Sequence, residues 1–223
     1  MSQYQDKLLI NKCMEKVSTH WNLERDVQDQ HTEGYCAFAA MNSVLSSIFD
    51  GKLYLEMPEF PRPTALQTMC DTLSSHVVDN VSVKQDFPNI IIESIKVIYI
   101  NPSEISLNDF EKLMKETNPN NNDYNDNKYV YYIANFNRTP LFFCNYSWFA
   151  RWRKWLFSGH FSPIVSYCND NDTMYLLIGD VNRKKYGNYL ARSDRLYEAL
   201  ACQEYGGRRR GIIRIQVKKN FDV

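Results

Sequence analysis

Cys36, His160, Asp180 and Gln30 lie far apart along the chain, yet in kind and in order they are the groups that acyl transfer through a thiol requires. Cys36 sits in Glu33-Gly34-Tyr35-Cys36-Ala37-Phe38-Ala39-Ala40, where a polar stretch gives way to small and apolar residues at helical spacing. This predicts a thiol at a helix N-terminus, where unpaired backbone N–H groups and the helix dipole favour the thiolate. His160 begins the strand-like run Gly159-His160-Phe161-Ser162-Pro163-Ile164, and Asp180 ends the next one, Met174 to Gly179. A thiolate attacks, an imidazole takes and returns the proton, and a carboxylate orients the imidazole. Gln30, six positions before the thiol, offers a side-chain N–H to an oxyanion hole beside the Cys36 backbone N–H.

Positioning these groups falls to two kinds of element. Residues 5–30 read as helical, with Leu8, Leu9, Cys13, Val17 and Trp21 on one face. A turn at 32–34 delivers Cys36, and the helix that follows carries Ala39, Ala40, Met41, Val44, Leu45 and Ile48 before stopping near Asp50-Gly51. Residues 58–63 form a proline-stiffened loop, and Thr64 to Asp79 returns to helix. From Ser94 to Ile100 the chain reads as a strand, and Ser106 caps a helix through Phe110, Leu113 and Met114. Residues 118–127 are an Asn/Asp-rich surface loop. Tyr129–Asn135, Phe161–Tyr167, Tyr175–Ile178 and Gly211–Val217 then read as strands of one antiparallel sheet. The expectation is an α+β chain, residues 1–223 forming one domain, with helices carrying Cys36 and a sheet carrying His160 and Asp180.

Composition narrows the function. A chain of 223 residues with 44% hydrophobic content supports a sizeable core. Twenty-six basic residues balance 26 acidic ones, so nothing attracts nucleic acid or an acidic membrane at long range. No apolar run is long enough to cross a bilayer, and the N-terminus lacks a signal-peptide plan. A cytoplasmic protein is expected, although leaderless secretion into a host cell would leave the same pattern. The six cysteines are scattered without a C-x-x-C pair, so in a reducing compartment most read as small buried apolar residues. Neither they nor the four histidines show metal-ligand spacing, and no metal site or cofactor is expected.

The blocks around these residues resemble the catalytic domain of the phytochelatin synthase family, a branch of the papain-like cysteine peptidases. Gln30-x5-Cys36 keeps the family spacing, and Gly159 to Ile164 matches its GHFSPI segment. Asp180-Val181-Asn182-Arg183-Lys184-Lys185-Tyr186 is similar to its D-V-x-R-x-K-Y segment, and Leu196–Leu200 with Arg209-Arg210-Gly211-Ile212 to its closing stretch. The resemblance spans roughly residues 10–215 and implies a two-lobed papain-like fold. It implies glutathione as substrate, cleaved at the Cys–Gly bond through a γ-glutamylcysteinyl acyl-enzyme, with hydrolysis favoured over transfer to a second glutathione. It places Arg210 on the γ-glutamyl carboxylate, for which a guanidinium is a natural bidentate partner. Arg183 and Tyr186 line the same pocket in this reading, with Asn135 and Gly159 as further pocket residues. Heavy metal would enter only as a thiolate complex of the substrate.

The chain departs from the family at three places. Ala37 replaces the usual glycine after the nucleophile, and Val165-Ser166 replace a Gly-Gly pair. An aromatic and basic stretch, Leu141 to Trp155, is inserted before His160 and reads as a lid or packing segment more readily than as an interfacial helix. These departures keep open a papain-like cysteine protease or effector acting on a protein. A non-catalytic interaction module is disfavoured by retention of all four catalytic positions. The sequence leaves the oligomeric state open, a homodimer included.

Overall fold

The computed structural model describes residues 3–15, 21–30, 34–56, 65–117, 127–142, 159–203, 207 and 209–220. Loops 58–63 and 118–126 and almost all of the 141–155 insertion lie outside them. The helices are α1 (Gln3–Met14), α2 (Leu23–Asp26), α3 (Cys36–Ile48), α4 (Leu66–Val77), α5 (Val81–Asp86), α6 (Leu107–Lys115), α7 (Arg138–Phe142) and α8 (Ser193–Ala201). The strands are β1 (Ile90–Tyr99), β2 (Lys128–Asn137), β3 (Gly159–Asp170), β4 (Thr173–Gly179), β5 (Asn188–Arg192) and β6 (Gly211–Lys219). They form one antiparallel sheet in the order β1-β6-β2-β3-β4-β5. The chain is therefore α+β, with the four expected sheet strands in one sheet and β1 and β5 at its edges.

Both sheet faces are covered, which explains the long apolar runs in its central strands. Tyr131 and Ile133 of β2 join Ala39, Met41, Val44 and Leu45 of α3 in one core. Tyr132, Ala134 and Phe136 of the same strand join Phe110 of α6 and Leu196 of α8 in the other. Side chains alternate across a strand, so one strand feeds two cores. Helix α3 is buried along nearly its whole length. Its polar residues are therefore bonded: Ser46 Oγ donates to Asp26 Oδ1 (2.8 Å), Asn42 pairs with the Leu55 backbone, and Ser47 O accepts from Lys219 Nζ.

Three expectations are corrected. The helix expected over 5–30 ends at Met14. Asn22 starts a separate short helix, its side chain accepting from Arg25 N while its own N–H donates to the buried Asp26; these local bonds compete with a continuous helix. Trp21 still reaches the core, 5.7 Å from the Tyr131 ring. The strand expected from Ser94 begins at Ile90, beyond a bulge at Glu93 that breaks the alternation. Cys13 and Cys168 are not free buried thiols: they are joined by a disulfide that ties α1 to β3 across 155 residues. The short helix α5 and the strand β5 were not foreseen.

Candidate active site

The site gathers where α3 begins and where β2 ends, β3 starts and β4 ends. Cys36 is the first residue of α3, as its sequence setting implies. Its thiol is reached by the N–H groups of Phe161 and Ala37 and by the field of Arg138, all of which favour the anion. Burial outweighs them and pushes the thiol above its ordinary value. At rest, desolvation therefore works against the thiolate that the helix N-terminus favours.

His160 and Asp180 are brought together as expected. His160 is almost fully buried, and its Nε2 lies 2.9 Å from Asp180 Oδ1 and 3.0 Å from Ser162 Oγ. Asp180 Oδ1 also accepts the Asn182 N–H at 2.8 Å. The edge of one ring meets the face of the other between Phe136 and His160, with centroids 5.5 Å apart. Burial is the largest influence on the imidazole and lowers its pKa, against the raising effect of Asp180.

The other ring nitrogen carries a group the sequence did not single out. Arg138, the first residue of α7, bonds His160 Nδ1 through Nη2. A guanidinium only donates, so Nδ1 accepts and the proton sits on Nε2, directed at Asp180. The ring is held as one neutral tautomer, with its bonds to Arg138, Asp180 and Ser162 and none to the Cys36 thiol. Arg138 also stacks 4.7 Å from the centre of the Tyr186 ring, and its Nε is buried without a hydrogen-bond partner among the described residues. Ser162 was more legible, since two residues after His160 puts it on the same strand face.

Gln30 is held by its backbone. Its N–H donates to Val181 O at 2.7 Å, while Gln28 N donates to Ser43 Oγ on α3. The segment carrying Gln30 is therefore pinned between the thiol's helix and the loop after Asp180. Arg183 belongs to this brace: its Nη1 donates to the carbonyls of Glu24 and Val27, and its N–H to Asp29. Among the described residues its bonds run to this brace and not to Arg210.

Arg210, Asn135 and Gly159 do come together. Arg210 is buried and donates from Nη1 to Asn135 Oδ1 at 2.8 Å. Its guanidinium lies against Gly159 so closely that a Cβ there would stand 3.1 and 3.2 Å from Nη1 and Nη2. Gly159 is what lets the cation sit beside the strand. Ala37 and Val165 are both buried in the α3-side core, and Ser166 Oγ is 3.5 Å from Cys13 O.

The family model of phytochelatin synthase matches residues 1–212 of the 223-residue chain. Among curated proteins, none matches it.

Proposed function

The chain belongs to the phytochelatin synthase family, an enzyme family of glutathione-linked γ-glutamylcysteinyl transfer, and from that premise we propose that it cleaves the Cys–Gly bond of glutathione on a two-lobed papain-like scaffold. The observation that carries the reading is the buried His160–Asp180 pair, 2.9 Å apart, beside a Phe161 N–H that reaches the Cys36 thiol.

Arg138 leaves Nδ1 as substrate enters, and the imidazole takes the thiol proton there. Sγ bonds the cysteinyl carbonyl carbon, while the Gln30 amide and the Cys36 N–H hold the oxyanion. The imidazolium keeps its Nε2–H on Asp180 and gives the Nδ1 proton to the departing glycine amine, which breaks the C–N bond. A γ-glutamylcysteinyl thioester remains on Cys36. Water then yields γ-glutamylcysteine, and a second glutathione amine yields a short phytochelatin; hydrolysis is the main course. Arg210, oriented by Asn135, binds the γ-glutamyl carboxylate. Heavy metal takes part as the thiolate complex of the substrate.

Incubation with glutathione, with free glycine and γ-glutamylcysteine followed by mass spectrometry, tests this directly. Both products should appear with the parent and vanish with Cys36→Ser. If no glycine is released while a protein substrate is cleaved, the thiol mechanism stands and glutathione does not.

A further inference from the structure

At the end of α3 opposite Cys36, a cavity of about 330 Å³ opens between α4, α5 and the first residues of β1. Nine of its ten lining residues are apolar. Phe49, where α3 ends, meets Phe87 edge to face with ring centroids 4.8 Å apart. Val77, Val83, Ile90 and Ile92 extend the wall, and Ile91 is 46% exposed at the rim. The volume falls at the lower end of the ~300–1,000 Å³ of pockets that hold small molecules.

Interiors pack closely, and apolar side chains normally close such a gap. Here the wall is held open by its own backbone. Asn80 Oδ1 accepts the N–H groups of Ser82 and Val83, Phe87 N donates to Val83 O, and Ile90 N donates to Phe87 O. Asn220 N donates to Asn89 O, and Pro88 stiffens the link from Phe87 into β1. With these polar groups satisfied inside the wall, the cavity offers a ligand apolar surface and one charge. That charge is Lys84, the tenth lining residue, which is exposed and in no ion pair with the described residues. An apolar chamber with one cation at its edge matches an alkyl chain that ends in an anion. An acidic peptide or a nucleotide would instead set polar groups against valine and isoleucine without partners.

We propose that this cavity binds a free fatty acid, its alkyl chain among Phe49, Val83, Phe87 and Ile92 and its carboxylate on Lys84. The site is independent of the thiol and of glutathione, since it lies at the far end of α3 from Cys36. Its occupant is held by the removal of apolar surface from water, with the lysine fixing which end points outward.

Titration calorimetry with decanoate, kept below the concentration at which it forms micelles, tests this. Hexanoate, octanoate and decanoate should bind one site, each added methylene tightening binding about three- to fourfold. Decanoate should also raise the Tm in step with its concentration, as a ligand of the folded chain must. Lys84→Glu should weaken decanoate about fivefold or more and leave decanol as it was, because the alcohol has no charge to lose. Val78→Trp fills the cavity and should abolish binding of both. Near-UV circular dichroism checks that the fold is kept, and the exposed Lys84→Glu reports on the site even where the tryptophan disturbs packing. No saturable binding of decanoate by the parent overturns the proposal. So does binding that both variants leave intact, which places it elsewhere, and a Lys84→Glu loss shared equally by decanol, which removes the carboxylate from Lys84. Binding to vesicles of phosphatidylcholine and phosphatidylglycerol, with none of decanoate in solution, makes this face a membrane contact and overturns it as well.

Discussion

Arg138 donates a guanidinium N–H to Nδ1 of His160, so the imidazole nitrogen free of Asp180 is engaged before any substrate arrives. The cation lowers the pKa of both the imidazole and the Cys36 thiol. Its withdrawal makes the imidazole a stronger base at the moment a base is needed. Arg138→Ala should therefore move the acidic limb of the kcat/KM–pH profile to higher pH, and the Cys36 titration upward with it. A profile that keeps the parent's limbs would mean that Arg138 does not act on the imidazole.

Burial acts on thiol and imidazole in opposite directions, raising one and lowering the other. Both directions favour the neutral pair, so alkylation of Cys36 by iodoacetamide should be slow at pH 7 and keep accelerating above the ordinary thiol value of about 8.5. A rate already at its plateau by about pH 8 would restore the helix-terminus thiolate. The same burial has a consequence for stability. The folded pKa of His160 lies below its unfolded value of about 6.5, so below that pH the unfolded state binds more protons. The stabilisation present above about 6.5 is lost as the pH falls through the folded pKa. His160→Gln should flatten the acid side of a plot of Tm against pH.

The helix that presents Cys36, the sheet and the order of the site residues were legible because each is written in local pattern. Met41, Val44, Leu45 and Ile48 repeat at helical spacing, and alternate residues of Tyr131–Phe136 feed two cores. What was not legible depends on contacts between distant segments. Arg138 acquires its role only when β3 brings His160 beside the end of β2. The bonds of Arg183 to the carbonyls of Glu24 and Val27 join residues more than 150 positions apart, which no local pattern announces. The bulge at Glu93 hid the first four residues of β1 by breaking a period of two.

The Cys13–Cys168 disulfide is a second long-range feature, since spacing alone could not pair residues 155 apart. Both cysteines are fully buried; among the described side chains of α1, Leu9 is also buried and Lys12 donates to Asn169 O. In the cytoplasmic setting expected from the sequence such a bond would be kept reduced. Protein purified without reductant should show the cross-link by non-reducing peptide mapping. A disulfide typically contributes about 2–4 kcal/mol, so Cys13→Ser should lower unfolding stability by that order. Parent treated with a reductant under denaturing conditions and refolded in it should match the variant. Equal stability with and without the cross-link would show that Leu9 and its neighbours hold α1 unaided.

Specificity is most exposed at Gly159 and Arg210. If the guanidinium beside Asn135 holds the γ-glutamyl carboxylate, Arg210→Lys keeps a charge without the bidentate fork, and Arg210→Ala loses both. Removing a hydrogen bond to a charged group costs about 1.5–3 kcal/mol, which should appear in kcat/KM for glutathione. Arg210 is also buried, so a loss of activity could reflect a disturbed fold. Gly159→Ala separates the two. Its methyl would stand 3.1 Å from Arg210 Nη1 and 3.2 Å from Nη2, so the guanidinium must shift by a few tenths of an ångström while keeping its charge. Gly159→Ala should raise KM for glutathione and leave the rate of Cys36 alkylation and the Tm close to the parent's. Unchanged KM in Gly159→Ala, together with full glutathione cleavage by Arg210→Ala, would make Arg210 structural and turn the search for the carboxylate site to Arg138 and Tyr186.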